Sequence, residues 1–152
     1  MSMNRAAYVF VVLTACAITG CAELTSVLDS VDSLSDESVE NTYWKLTQLN
    51  GTAIVAAGRQ REPHFVLHPE SGRVTGSGGC NRITGTYHLE GDRLSFGPLA
   101  GTMMSCHAGM EAERNFLGTL QKGGRARVAS QRLELLDGSG GVAARFDAVY
   151  LK

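Results

Sequence analysis

Over most of the chain, apolar and polar residues alternate with period two, the spacing of strands that bury one face. Trp44 and Leu46 alternate with Lys45 and Thr47 and lead into Asn50-Gly51, the dipeptide best suited to a tight hairpin turn. Residues 53–57 suit a second strand or an irregular return, and residues 58–63 a polar loop. His64 to His68 reads as a short strand stopped by Pro69, and Gly72 opens another around Val74. A glycine cluster, Gly76, Gly78 and Gly79, then makes a tight turn that feeds a strand over residues 83–89, where Ile83, Gly85 and Tyr87 alternate. Glu90-Gly91-Asp92 turns the chain into a strand with Leu94 and Phe96, and residues 99–104 are expected to be extended. Strands over 126–130 and 132–136, a turn over 137–141 and a closing strand over 142–151 complete the pattern. Roughly eight strands at short, regular spacing predict a barrel or sandwich.

One segment has a different period. Between residues 108 and 121, Ala112, Phe116 and Leu120 recur every fourth residue, which predicts a helix with a wide apolar stripe, stopped by Gly123-Gly124. Glu111 and Glu113 sit near its start, where carboxylates suit the helix dipole. Glu113 falls beside the apolar stripe, so its carboxylate is expected to bond to neighbouring backbone or to an arginine. A general acid or base is the weaker alternative. The fold class is therefore mainly β (α+β): a compact antiparallel, partly open β-barrel of roughly eight strands with one α-helix.

Length adds a bound: 152 residues hold one domain and a leader, but not two sizeable cores. The net charge of −1 hides an asymmetry, because residues 22–41 carry six acids and no Lys or Arg, while the rest of the chain from Thr42 is net positive. That excess is too small and too scattered for a nucleic-acid interface. Residues 1–20 read as a signal peptide: Arg5 is the positive region, residues 6–17 the apolar run, and Ile18-Thr19-Gly20 precedes Cys21. A small residue directly before cysteine resembles a bacterial lipobox, which implies cleavage before Cys21 and lipid on that cysteine. Ala22 behind it resembles the outer-membrane sorting pattern, so the expected location is the outer membrane, facing the periplasm. Residues 21–41 then form the lipidated cysteine and an acidic tether, and residues 42–152 the domain. Leu24, Val27, Leu28, Val31 and Leu34 fall at helical spacing, so the tether is either a flexible spacer or a partner-binding helix.

In an oxidising compartment the remaining pair, Cys80 and Cys106, is expected to be bridged, with buried reduced thiols as the alternative. Such a bond would contribute about 3–4 kcal/mol in the chain-entropy account. His64 and His68 share a strand face and His107 adjoins Cys106, but no paired Cys/His spacing supports a metal site, and none is expected. The glycine cluster lacks the lysine and following helix of a phosphate loop, and no nucleophile motif is present, so neither cofactor nor catalysis is expected. Asn81 suits a turn where it satisfies backbone groups. Arg125, Arg127 and Arg132 suit either an anionic lipid or a solvated strand face.

Trp44-Lys45-Leu46 with Asn50-Gly51, Gly76 to Gly79-Cys80-Asn81 with Gly85 and Tyr87, Leu94-Ser95-Phe96, and Thr102-Met103-Met104-Ser105-Cys106 followed by Met110-Glu111-Ala112-Glu113 and Phe116 together resemble the META domain. Its best-known members are the HslJ-like heat-shock lipoproteins. The likeness runs from about Tyr43 to Tyr150, with His107 where a proline is common. It implies a compact barrel-like fold with one helix, a place in the cell envelope, and a link to stress or antibiotic tolerance, without a catalytic mechanism. Gly79, Asn81, Gly85, Thr102 and Glu113 are its structural motif here. The expected function is a membrane-anchored lipoprotein that supports the envelope by binding an unidentified envelope protein. The alternative is a lipid- or peptide-binding carrier, similar to the pilotins that escort outer-membrane proteins.

Overall fold

The computed structural model describes residues 37–55, 61–106 and 109–150. Cys21, the apolar positions of the tether and His107 lie outside them. The strands in chain order are β1 (Tyr43–Leu49), β2 (Thr52–Ala53), β3 (His64–His68), β4 (Arg73–Ser77), β5 (Arg82–Glu90), β6 (Arg93–Phe96), β7 (Ala100–Gly101), β8 (Gly124–Ala129), β9 (Arg132–Leu136) and β10 (Val142–Val149). The helix α1 (Met110–Lys122) lies between β7 and β8. All pairings are antiparallel, and the ring runs β1-β3-β4-β5-β6-β8-β9-β10, with β10 returning to β1. The mainly β barrel with one helix is as the sequence predicts. The ring is closed rather than partly open, because β1 and β10 pair along almost their whole length, from Tyr43 opposite Val149 to Leu49 opposite Ala144.

Alternation builds the interior. Trp44, Leu46, Phe65, Leu67, Val74, Ile83, Leu94, Leu133, Leu135 and Phe146 are all buried. In β1 a bulge between Leu46 and Gln48 shifts the phase, so Leu49 rather than Gln48 points inward. Asn50 and Gly51 both take positive φ, 48° and 81°, giving the turn that joins β1 to β2. The ring is held by only two residue pairs where β6 meets β8, at Arg93–Arg125 and Leu94–Gly124, and likewise where β1 meets β3, at Trp44–Phe65 and Lys45–His64. The helix α1 packs beside β6 and contributes fully buried Phe116 and Leu120. Phe65, Phe116 and Phe146 meet at the centre, with Phe65 and Phe146 edge to face at a centroid distance of 5.0 Å.

Residues 37–41, at the end of the acidic stretch, belong to this folded unit. Glu37 N–H donates to Ser130 O (3.0 Å), Asn41 N–H to Leu67 O (2.8 Å), and the Trp44 indole Nε1–H to Val39 O (2.9 Å). Val39 also packs on the core. This segment has no periodicity, so the pattern alone places the boundary later, at Thr42. Among the described residues, no helix is long and apolar enough to cross a membrane.

Candidate functional site

Between β4 and β5 the chain reverses through Ser77-Gly78-Gly79-Cys80-Asn81. Gly78 N–H donates to Asn81 O (2.8 Å), and Gly79 N–H to Ser77 Oγ (3.1 Å). Gly79 holds φ at 114°, a conformation that side chains disfavour. At Gly78 a Cβ would lie 2.4 Å from Glu113 Cγ, so only glycine lets the helix approach this closely. Gly85 lies opposite Val74 in the sheet and under Pro98 and Leu99.

Glu113, in the first turn of α1, is buried and aimed at this reversal. Its Oε2 accepts the backbone N–H groups of Cys80 (3.0 Å) and Asn81 (2.7 Å), and its Oε1 accepts the Asn81 side-chain amide (2.7 Å). Asn81, also buried, uses the other half of its amide on the incoming loop. Its Oδ1 accepts Met104 N–H (2.7 Å) and the Thr102 hydroxyl (2.9 Å), while Nδ2 also reaches Met104 O (3.4 Å). Thr102 Oγ1 accepts Arg82 N–H (3.2 Å). The sequence alone leaves Glu113 a choice between backbone and arginine; here the partners are backbone and Asn81. The carboxylate and amide are thus fully engaged in joining the helix, the reversal and the loop.

A disulfide joins Cys80 to Cys106 across a Cα separation of 6.1 Å. The loop is therefore held at Thr102 and Met104 by Asn81, and again at Cys106. What it presents is apolar: Met103 is 100% exposed and Met104 59%. A hollow of ≈380 Å³ lies alongside, with the disulfide and Met104 on its apolar side and Arg61 and Arg82 on its polar side.

The residue type that could have pointed to this arrangement is the glycine pair Gly78-Gly79, placed where a buried carboxylate must reach backbone. Arg61 carried no sequence signal, and Met104 only its place in the Thr102 to Cys106 element of the resemblance. The histidines weighed for a metal have other partners: His64 stacks on Tyr43 and bonds through Nδ1 to Glu62 O (2.9 Å), and His68 Nε2 meets Thr75 Oγ1 (2.9 Å). Among the described residues, no group of three or more His, Cys, Asp or Glu could hold a metal ion. Arg125, Arg127 and Arg132 pair with Asp92, Glu134 and Asp147 on the outer wall.

Residues 37–150 match the META domain. The chain belongs to the META domain family. The match covers the whole barrel, including the segment ahead of Thr42. Among solved structures, a protein from Burkholderia xenovorans determined by NMR is 28% identical, with a TM-score of 0.61 over 80% of this chain and 88% of that one. A second NMR structure is 20% identical, with a TM-score of 0.57 over 71% of this chain and 89% of its own, and shows the same fold. No curated protein matches this META domain chain.

Glu62, the acidic neighbour of Arg61 in the chain, has partners away from the hollow. It accepts Lys45 Nζ at 2.8 Å and the Tyr43 hydroxyl at 3.1 Å. The Lys45 bond, with Tyr43 adding to it, holds the Glu62 carboxyl below the usual range. Burial, and then the Glu62 charge, pushes the Tyr43 hydroxyl up to about 12. Glu62 is thus committed to Lys45 and Tyr43, and no acidic side chain lines the hollow.

Proposed function

We propose that this META domain is the periplasm-facing part of a lipid-anchored envelope protein and acts by binding a partner protein, without catalysis. The observation that carries this reading is the loop from Thr102 to Cys106. Exposed methionines adapt to varied apolar partners, and this pair is held in place by the Asn81 hydrogen bonds and the disulfide. A fixed, exposed apolar element loses little freedom when it docks.

The lipid anchor rests on the lipobox-like Ile18-Thr19-Gly20-Cys21, with Arg5 and the apolar run ahead of it. Outer-membrane placement rests on Ala22, and support of the envelope under stress on the family resemblance. The non-catalytic reading is supported by the commitment of the reactive groups. Cys80 and Cys106 are joined to each other, and Glu113 and Asn81 are spent on mutual and backbone bonds. The carrier alternative gains no support from an interior occupied by Trp44, Phe65, Phe116 and Phe146.

Photocrosslinking tests the reading. A benzophenone amino acid in place of Met103 is expected to give a discrete protein adduct in cells, while the same probe at exposed Ser139, on the 137–141 turn, gives none. No adduct from Met103 would overturn the reading.

A further inference from the structure

We infer that the hollow beside the Cys80–Cys106 disulfide takes an acidic, extended peptide segment. The segment's carboxylate meets Arg61 and Arg82, and its apolar side chain lies on the disulfide and Met104. This deepens the binding reading above and rests on it.

The first argument is uncompensated charge. Five basic side chains of the barrel have acidic partners: Lys45 with Glu62, Arg125 with Asp92, Arg127 and Arg145 with Glu134, and Arg132 with Asp147. Arg61 and Arg82, like Arg73, Arg93, Arg114 and Lys122, form no ion pair with a described residue, but these two share one hollow of ≈380 Å³ that no acidic side chain lines. Glu62, next to Arg61 in the chain, is turned to Lys45 and Tyr43. Two guanidinium groups over an apolar floor suit a carboxylate flanked by an apolar group, since arginine is the side chain best shaped for carboxylates.

The second argument is an open strand edge leading into the same place. Thr102 N–H bonds to Arg82 O (3.1 Å), and Gly101 stands opposite Ile83. In an antiparallel ladder the pairs alternate, so the N–H and C=O of Gly101 point away from β5. Among the described residues β7 pairs with β5 alone, and Gly101 is exposed. A second hollow, of ≈450 Å³, runs beside β7 over Thr75 and Ala100 and shares Arg82 and Thr102 with the first. The two hollows adjoin at Arg82 and Thr102, and Gly101, whose backbone edge is open, lines the second. An extended peptide that spans them would add main-chain bonds at the Gly101 edge and side-chain specificity in the hollows.

A membrane surface fits less well, because anionic lipid is recognised by denser clusters of Lys and Arg than this pair. It is therefore an outcome of the test.

The test exposes the full-length protein, in detergent micelles, to an array of short random-sequence peptides. Bound peptides are expected to be enriched in Asp and Glu next to an apolar residue. The Arg61→Glu/Arg82→Glu double variant, altered only at exposed positions, should weaken the best of them about tenfold. It should also shift the array preference toward Lys and Arg, which a merely unfolded variant would not do. No bound peptide, no acidic enrichment, or a preference unchanged by the charge reversal would overturn the inference. So would binding to phosphatidylglycerol vesicles with none to peptides. If the Met103 adduct persists in the double variant while the array fails, the inference falls and the binding reading stands; if both are absent, both fall.

Discussion

In the barrel interior Trp44, Phe65, Phe116 and Phe146 are fully buried, and the three phenylalanines pack ring against ring. Beside β7, Asn81 and Glu113 are almost as deeply buried, yet they are held by directed hydrogen bonds to backbone and to each other. The interior is stabilised in proportion to area, so neighbours share the loss of any one ring and a side chain of similar volume substitutes well. The polar knot works differently. Each of its atoms has a specific partner, and removing one side chain strands several buried donors or acceptors at once. One region therefore responds to volume, the other to connectivity.

The largest effect is expected in the interior. Phe146→Ala should cost about 3–5 kcal/mol in urea unfolding, and Phe146→Leu under about 2 kcal/mol, because part of the volume is kept. Equal losses from the two would break the comparison, since the site would then answer to ring geometry rather than volume.

The knot should show its connectivity in a double-mutant cycle. Asn81→Ala strands Glu113 Oε1, the Thr102 hydroxyl and Met104 N–H, while Glu113→Ala strands the N–H groups of Cys80 and Asn81. Each should cost about 2–3 kcal/mol, and the double variant should cost less than their sum by about 1–2 kcal/mol, again in urea. Strict additivity would mean that the two side chains act on the loop and the reversal separately.

These two regions also differ in how far the sequence reveals them. Period two shows in Trp44 and Leu46 and in Leu133 and Leu135, and the helical period in the fourfold spacing of Phe116 and Leu120, because burial on one face leaves a repeating mark. The closure of β10 on β1 leaves none, since pairing partners are set by where strands meet in space. The bulge at Leu46–Gln48 and the packing of Val39 fail for the same reason: each answers a tertiary neighbour. In the knot, Glu113 stands out as a carboxylate at the margin of an apolar stripe, and Asn81 as a turn former beside cysteine. What cannot be read is that they meet. Asn81 and Glu113 are 32 residues apart, and their contact depends on the helix lying against the reversal at Gly78.

A third polar group separates burial from hydrogen bonding as the source of the knot's expected strength. On the outer wall, Glu134 accepts Arg145 Nε at 2.8 Å and also bonds Arg127. The connectivity rivals that of Glu113, but Arg127 is largely exposed to solvent. The Arg145 bond, and then the Arg127 bond, holds the Glu134 carboxyl below its ordinary value of 4.5. A lowered folded-state value means that the contribution is complete above that ordinary value and is lost as pH falls through the lowered one. Glu134→Gln should therefore be less stable than the parent near neutral pH, by under about 1 kcal/mol, and the gap should close in acid below 4.5. Thermal unfolding of both proteins across that range checks it, and added salt should shrink the neutral-pH gap, since exposed pairs are screened. A gap as large as that of Asn81→Ala would show that the number of hydrogen bonds, not their removal from water, sets the cost. The contrast between wall and knot would then collapse.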